Sequence, residues 1–486
     1  MSWGFYGRQA ELDALQEVLG RGRFFFLRLT GRRRIGKTTL VQRALASAKR
    51  SEVVYVQIPD SAPAGVLSAF SDAMDTFEVP AAAHPRPTSL LELSNSIENL
   101  IRGGHVVVLD EFQYFSRKVL HEFLSHLQAA VDRLSRDAAE ISGGLIVLGS
   151  LHAELVALLE NRDAPLYNRT TDQLELSHLD IGSLLAILDA HGERSPQRLL
   201  FLWNLFEGVP KFYRDCFEQG VLTAERSALL ERMFFGSSSP LRTEADNWFL
   251  SELRGRYDVV LKFVARHPGC SHGELEAHVR ELSPDTTEQV GGYLKALIER
   301  YRLLEKRLPI FAKPQARSGR YHIRDNFLQS WLAALHASVS AISFRPLDLL
   351  VAQANERLAQ SEGQGLEHLV AQLYAERSRR GIGDFAMTRQ IQGYWDRKDT
   401  EIDLVAVNEE DRVLRFVSCK REAAKLQGQG SELRAHVERF LTALPAYRNW
   451  RHEFCVVAPE VDPALRTKLE SQGLKVQDLA GLTQNL

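Results

Sequence analysis

The chain has 486 residues, enough for roughly three domains at about 150 residues each. Hydrophobic residues make up 44% and charged residues 25%, an ordinary globular composition that excludes fibrous and extended disordered classes. The formal net charge of -2 supplies no global attraction for nucleic acid, so any such contact needs a local basic patch.

The four cysteines, Cys216, Cys270, Cys419 and Cys455, form no C-x-x-C pair. That argues against a zinc knuckle and a disulfide framework, and fits a reducing cytoplasm. The opening MSWGFYGRQAELDAL lacks the basic and apolar regions of a signal peptide. No apolar run is long enough to predict a transmembrane helix or a membrane partner.

FFFLRLT at 24–30 predicts a short buried strand, followed by GRRRIGKTTL at 31–40 and an Ala/Leu-rich helix. This is G-x-x-x-x-G-K-T in its strand-to-helix context, with Gly31, Gly36, Lys37 and Thr38. Glycines let the backbone turn its N–H groups toward phosphate oxygens, and the helix start adds a positive dipole end. Lys37 then reaches the β- and γ-phosphates of ATP, and the Thr38 hydroxyl ligates Mg²⁺. Arg34 in the loop and Thr39 beyond it are further candidate nucleotide contacts.

HVVVLDEFQYF at 105–115 runs four apolar residues into Asp110 and Glu111, the pattern of a buried parallel strand. Its end delivers Asp110 to the Mg²⁺ shell and Glu111 as general base for the attacking water. GLIVLGS at 144–150 is a third strand. Its Ser150 either touches the γ-phosphate or simply closes the strand in a turn. APLYNRTTDQLEL carries Arg169, either a cationic finger acting in cis or from a neighbouring subunit of a homo-oligomer, or a surface arginine.

FYGRQAELDAL at 5–15, GRRRIGKTTL, VVVLDEF, LIVLGS, APLYNRT and EGVPKFY at 207–213 occur in that order. Together, over residues 1–235, they resemble the archaeal-type ATPase family. That family belongs to the signal-transducing P-loop ATPases, close to AAA+ and origin-recognition ATPases. The resemblance implies that Gly7, Arg8 and Glu11 lie near the nucleotide, that Arg169 senses the interaction, and that Gly208 and Pro210 mark a helical lid. Two positions depart from the family pattern: Asn168 and Glu207 stand where glycine is common.

Three short helical patterns follow a hinge at FGSSSPL: DVVLKFVARH, HGELEAHVREL and TTEQVGGYLKALIERY. Thr286 or Thr287 is the candidate N-cap of the third, with Glu288 in its first turn. YRLLEKRLPIFAK and YHIRD then read as strands around a turn, giving a winged helix-turn-helix. On DNA, the third helix would enter the major groove. Lys295, Arg302, Lys313, Arg317 and Arg320 would meet phosphates. The alternative is a packing or partner-binding module, since Glu288 and Glu299 share the reading helix.

Beyond a helical linkage, EGQGLEHLVAQLYAER at 362–377 predicts a helix carrying Glu367. YWDRKDTEIDLVAV is a strand with Glu401 and Asp403, VLRFVSCKRE a strand ending near Lys420, and FCVVAP a further strand after a helix. This order resembles the PD-(D/E)XK nuclease-like superfamily. The resemblance implies that Asp403 and a second carboxylate hold Mg²⁺, that Lys420 orients the nucleophile, and that Glu367 joins the metal. Ser418 stands where that superfamily carries Glu or Gln, so Glu401, Glu367 or Glu422 would have to compensate.

The expected architecture is α/β. It comprises a P-loop parallel-sheet ATPase core (1–180), a helical lid (181–250), a winged helix-turn-helix (251–335) and a nuclease-like α/β domain (336–486). The expected function is a cytoplasmic Mg-ATP-hydrolysing switch acting on DNA. The alternative is an ATP-gated interaction protein whose C-terminal domain only binds nucleic acid or protein. A small-molecule kinase would leave half the chain idle.

Overall fold

The computed structural model describes residues 2–48, 52–149, 152–246, 256–282 and 290–486. The chain divides into two compact units, Arg8–His178 and a second formed by Leu179–Leu486 with Met1–Gly7.

The first unit is built on five parallel strands: β1 (Phe25–Gly31), β2 (Val53–Gln57), β3 (Val106–Asp110), β4 (Gly144–Leu148) and β5 (Asp172–Leu176). Their order is β2-β3-β4-β1-β5. The three inner strands are buried along their whole length, as strands covered on both faces must be. The edge strands β2 and β5 instead alternate between more and less exposed positions. Phe26, Val54, Leu109, Phe112 and Phe123 share one core cluster under crossover helices. β4 stands between the phosphate-loop strand and the acidic strand, so both deliver their residues to one edge, the carboxyl ends where open α/β sheets bind ligands.

The second unit begins with helices Ile181–His191, Pro196–Phe206 and Pro210–Glu218. Asp180 and Ser195 cap the first two, and Pro196 and Pro210 occupy first-turn positions that need no N–H partner. Next come helices Arg256–Arg266, His272–Leu282 and Val290–Lys295, the last running on as a wide turn through Ala296–Arg300. An antiparallel hairpin follows, β6 (Leu304–Arg307) and β7 (Arg320–Ile323). The expected cap at Thr286 or Thr287 and Glu288 lie outside the described residues. β6 is shorter than YRLLEKRLPIFAK predicts. Pro309 ends it, and Ile310 leaves the hairpin to enter another core.

A single 33-residue helix, Leu347–Arg379, replaces the expected linkage and separate helix. Gly363 and Gly365, at the start of the predicted 362–377 segment, lie well inside it. Gly365 is there for close approach, since a Cβ would stand 2.4 Å from Asn204 Oδ1 on the helix Pro196–Phe206.

The C-terminal sheet contains β8 (Gln392–Trp395), β9 (Glu401–Asn408), β10 (Val413–Cys419), β11 (Arg451–Ala458) and β12 (Lys475–Asp478), in the order β12-β11-β10-β9-β8. β8, β9 and β10 are antiparallel; β10, β11 and β12 are parallel, with the helix Gln429–Ala443 crossing from β10 to β11.

Candidate nucleotide and acidic sites

The loop after β1 is shaped by backbone that side chains resist. Gly31 has φ 147, and a Cβ there would stand 2.7 Å from the Leu176 carbonyl oxygen of β5. Gly36, with φ 96, opens the helix Lys37–Ser47. Arg34 is also left-handed at φ 66, a conformation that costs a non-glycine residue about 1–2 kcal/mol. Strain of this kind clusters where a loop is fixed for ligand binding.

Lys37 is buried, and its ammonium donates to the carbonyls of Gly31 at 2.9 Å and Arg32 at 3.1 Å. Burial pulls its pKa down to about 8, against the opposing pull of Glu111 and Asp110. The next residue, Thr38, donates its hydroxyl to Asp110 Oδ2 at 3.0 Å, so the helix after the phosphate loop meets the end of β3 through this contact. The Tyr55 hydroxyl of β2 donates to the same oxygen, and the Glu111 amide donates to Asp110 Oδ1 at 2.8 Å. Burial, with Asp110 close by, drives the Tyr55 phenol upward, so it stays a donor.

Glu111 sits at φ 56, just past the strand end, and accepts from the Gln113 amide. Gln113 is buried, and a Cβ on Gly149 after β4 would stand 2.6 Å from its Oε1. Gln113 therefore links the candidate base to the end of the central strand. Ser150 lies outside the described residues. Thr39 is exposed, and Arg34 is half-buried at the loop crest.

Arg8 begins the helix Gln9–Gly20 from a left-handed position and pairs with Glu11 at 3.0 Å. Its guanidinium also reaches the Ile35 carbonyl in the phosphate loop at 3.5 Å, and the Ser177 carbonyl beyond β5. Arg8 thus ties the loop to the sheet edge. Arg169 is clasped by both oxygens of Asp132, at 2.8 and 3.0 Å, and donates to the Tyr167 carbonyl at 3.0 Å. The two residues standing in place of family glycines keep glycine-like backbone: Asn168 has φ 60 and Glu207 φ 50. Asparagine tolerates this well. Glu207 is held there in part by the Tyr213 hydroxyl, which donates to its carbonyl at 2.6 Å.

In the second unit, Glu367, Asp403 and Lys420 come together. Lys420 Nζ lies 3.6 Å from Asp403 Oδ2, which also accepts from the Cys419 amide at 2.7 Å and the Ser418 hydroxyl at 3.2 Å. Burial and the charge of Asp403 raise the Glu367 carboxyl well above its usual range. Burial likewise raises Asp403, against the pull of Lys420. Two crowded carboxylates beside one cation form a donor set whose repulsion a divalent cation would relieve. Glu401 pairs with Arg320 at 2.5 Å, and its charge also raises both pocket carboxyls. Neither Tyr55 nor Gln113 is singled out by the sequence. An aromatic in a strand and a glutamine after D-E carry no spacing signal of their own.

Residues 25–156 match a family model described as an AAA domain, and residues 331–430 match one described as archaea bacterial proteins of unknown function. An uncharacterised protein of Methanocaldococcus jannaschii is 26% identical over 421 residues, covering 86% of this chain and 87% of that one. The solved Walker-type ATPase of Pyrococcus abyssi is 18% identical and covers 68% of this chain and 96% of its own, with a TM-score of 0.51. The ORC2 protein of Aeropyrum pernix is 18% identical over 73% of this chain and 94% of its own, with a TM-score of 0.45. The first unit has the parallel-sheet fold of a P-loop ATPase domain and carries the match to the AAA domain model. No described helix is long and apolar enough to cross a membrane.

Proposed function

We propose that the protein is a Mg-ATP-hydrolysing switch whose second unit acts on DNA. The observation that carries this is the Thr38–Asp110 contact at 3.0 Å, with buried Lys37 on one side and Glu111 on the other. Thr38 and Asp110 would hold Mg²⁺, which neutralises phosphate charge when bound. The Lys37 ammonium exchanges its two loop carbonyls for phosphate oxygens. Glu111, oriented by Gln113, accepts a proton from the attacking water. Arg8 keeps the loop in register. Arg169 can serve a neighbouring subunit's nucleotide only by leaving Asp132.

Glu111→Gln separates the steps: it should retain fluorescent ATP-analogue affinity while phosphate release slows by at least about a hundredfold. Wild-type turnover would remove Glu111 from the role.

The output half of this reading comprises residues 181–250 as lid, 251–335 as winged helix and 336–486 as nuclease-like domain. Glu367 and Asp403 would hold a divalent cation, which makes hydroxide from water when bound, and Lys420 would orient the nucleophile. A second reading rests on Ser418, whose hydroxyl donates to Asp403 where a carboxylate ligand is needed. On that reading the pocket has lost its chemistry and only binds nucleic acid or a protein.

A further inference from the structure

The loop of the β6–β7 hairpin is built into the C-terminal sheet. The Ile310 amide donates to the Gly393 carbonyl of β8 at 2.9 Å, and its side chain is buried with Tyr394, Ile402 and Phe440. Phe311 stacks on Tyr447 at 4.3 Å, and Trp395 Nε1 donates to the Ser318 carbonyl at 2.7 Å. The hairpin is therefore a wall of the sheet domain.

Its outer register pair is Arg307 opposite Arg320. Arg307 Nη2 lies 2.9 Å from His368 Nε2, the residue after Glu367. Arg320 pairs with Glu401, two residues before Asp403 on the same strand, and lies 4.7 Å over the Trp395 ring. The two arginines thus grip the two elements that carry the pocket carboxylates. Around them Lys313 and Arg317 of the hairpin loop, and Arg397 and Lys398 of the β8–β9 loop, are exposed. The local acids are largely engaged: Glu305 accepts from Arg307 at 2.6 Å, Glu401 takes Arg320, and Asp396 caps the Lys398 and Thr400 amides at 2.7 and 3.1 Å. Asp399 is exposed.

We propose that the β6–β7 hairpin and the β8–β9 loop form one phosphate-binding surface, which carries a nucleic-acid backbone onto the rim of the Glu367–Asp403 pocket. This rests on the nucleic-acid output proposed above, but joins the hairpin cations to the β8–β9 loop and the acidic pocket rather than to a reading helix at Val290–Lys295. Exposed cations hold the flanking phosphates. Arg307 and Arg320, anchored by His368 and Glu401, set the height of the chain over the carboxylates.

The test is fluorescence anisotropy of the full-length protein on DNA and RNA duplexes of one sequence across a salt series. Lys313→Glu with Arg317→Glu should weaken binding at low salt at least about tenfold and flatten the salt slope by about two, at ~0.9 for each phosphate left without its cation. Arg397→Glu with Lys398→Glu should do the same, and unchanged melting temperatures would establish intact folding. The duplex bound more tightly by wild type identifies the partner, and the weakening should appear on that duplex. Wild-type slopes in both double variants, or weakening from one loop alone, would overturn the shared surface. If only Lys295→Glu weakens binding, the nucleic-acid output stands and this surface falls. If wild type binds neither duplex, both fall.

Discussion

Replacing Lys37 with methionine should stabilise the nucleotide-free ATPase unit while abolishing its response to ATP. The ammonium is buried and its pKa is drawn from 10.5 to about 8. At ~1.36 kcal/mol per pH unit, holding that charge in the empty loop costs about 3 kcal/mol. Methionine of similar length removes the charge but also the bonds to the Gly31 and Arg32 carbonyls, which contribute about 0.5–1.5 kcal/mol each. The net gain expected is about 1 kcal/mol at pH 7. The sign follows from proton binding. Between about 8 and 10.5 the unfolded lysine holds a proton that the folded one releases, so wild-type stability rises with pH in that window. The advantage of methionine is therefore full below pH 8, gone by about pH 9 and reversed by about 2 kcal/mol above pH 10.5, where the folded lysine is neutral but keeps its bonds. Calorimetry follows the transition that Mg-ATP displaces upward in wild type, a shift worth about 2.7 kcal/mol at a hundred times Kd. In Lys37→Met that shift should vanish and the nucleotide-free transition should move up. A lower transition at pH 7, or a gain that persists at pH 11, would refute the reasoning.

Turnover per chain that rises with protein concentration in wild type should become flat in Arg169→Ala, measured as phosphate release across a dilution series; flat wild-type turnover would restrict Arg169 to its own subunit. Asp403→Ala should eliminate any nicking of supercoiled plasmid in Mg²⁺ or Mn²⁺ while leaving ATP hydrolysis intact. Equal nicking by both proteins would exclude the acidic pocket as its source. Burial, with Arg307, His368 and Arg320 adding positive charge, lowers His322 from 6.5 to about 3. The fold refuses a proton that the unfolded chain accepts, so stability should fall from pH 6.5 toward 3 by up to about 1.4 kcal/mol per pH unit. Urea midpoints of wild type and His322→Gln should diverge over that range, and parallel curves would discard the assignment.

The phosphate loop is legible in the sequence because its chemistry is done by backbone: only glycine suits Gly31 and Gly36, and the buried strand before them reads as an unbroken apolar run. Asp110 and Glu111 are legible for the same reason, at the end of such a run. Tyr55 is not, because its role depends on β2 lying beside β3. The long helix is hidden because nothing in the sequence joins the linkage before residue 362 to the helix after it, and the close approach of Asn204 to Gly365 has no local signature. Glu367, Asp403 and Lys420 can be assembled from motif order, but not the hairpin arginines beside them. Nothing in the spacing of Arg307 and Arg320 records that their strands lean on another module.

Ile310 has a further consequence for how the chain can be divided. A cut near residue 336 looks natural from the sequence, yet it would strip the C-terminal sheet of a side chain that fills its interior beside Tyr394 and Phe440. The hole left by such a side chain costs about 2–5 kcal/mol. Phe311 would leave with it and bare the Tyr447 ring. The exposed remnant would be an apolar cleft at the end of β8, an edge strand, where isolated fragments tend to aggregate. The helical module and the sheet are thus one heritable piece, to be shortened or recombined only together.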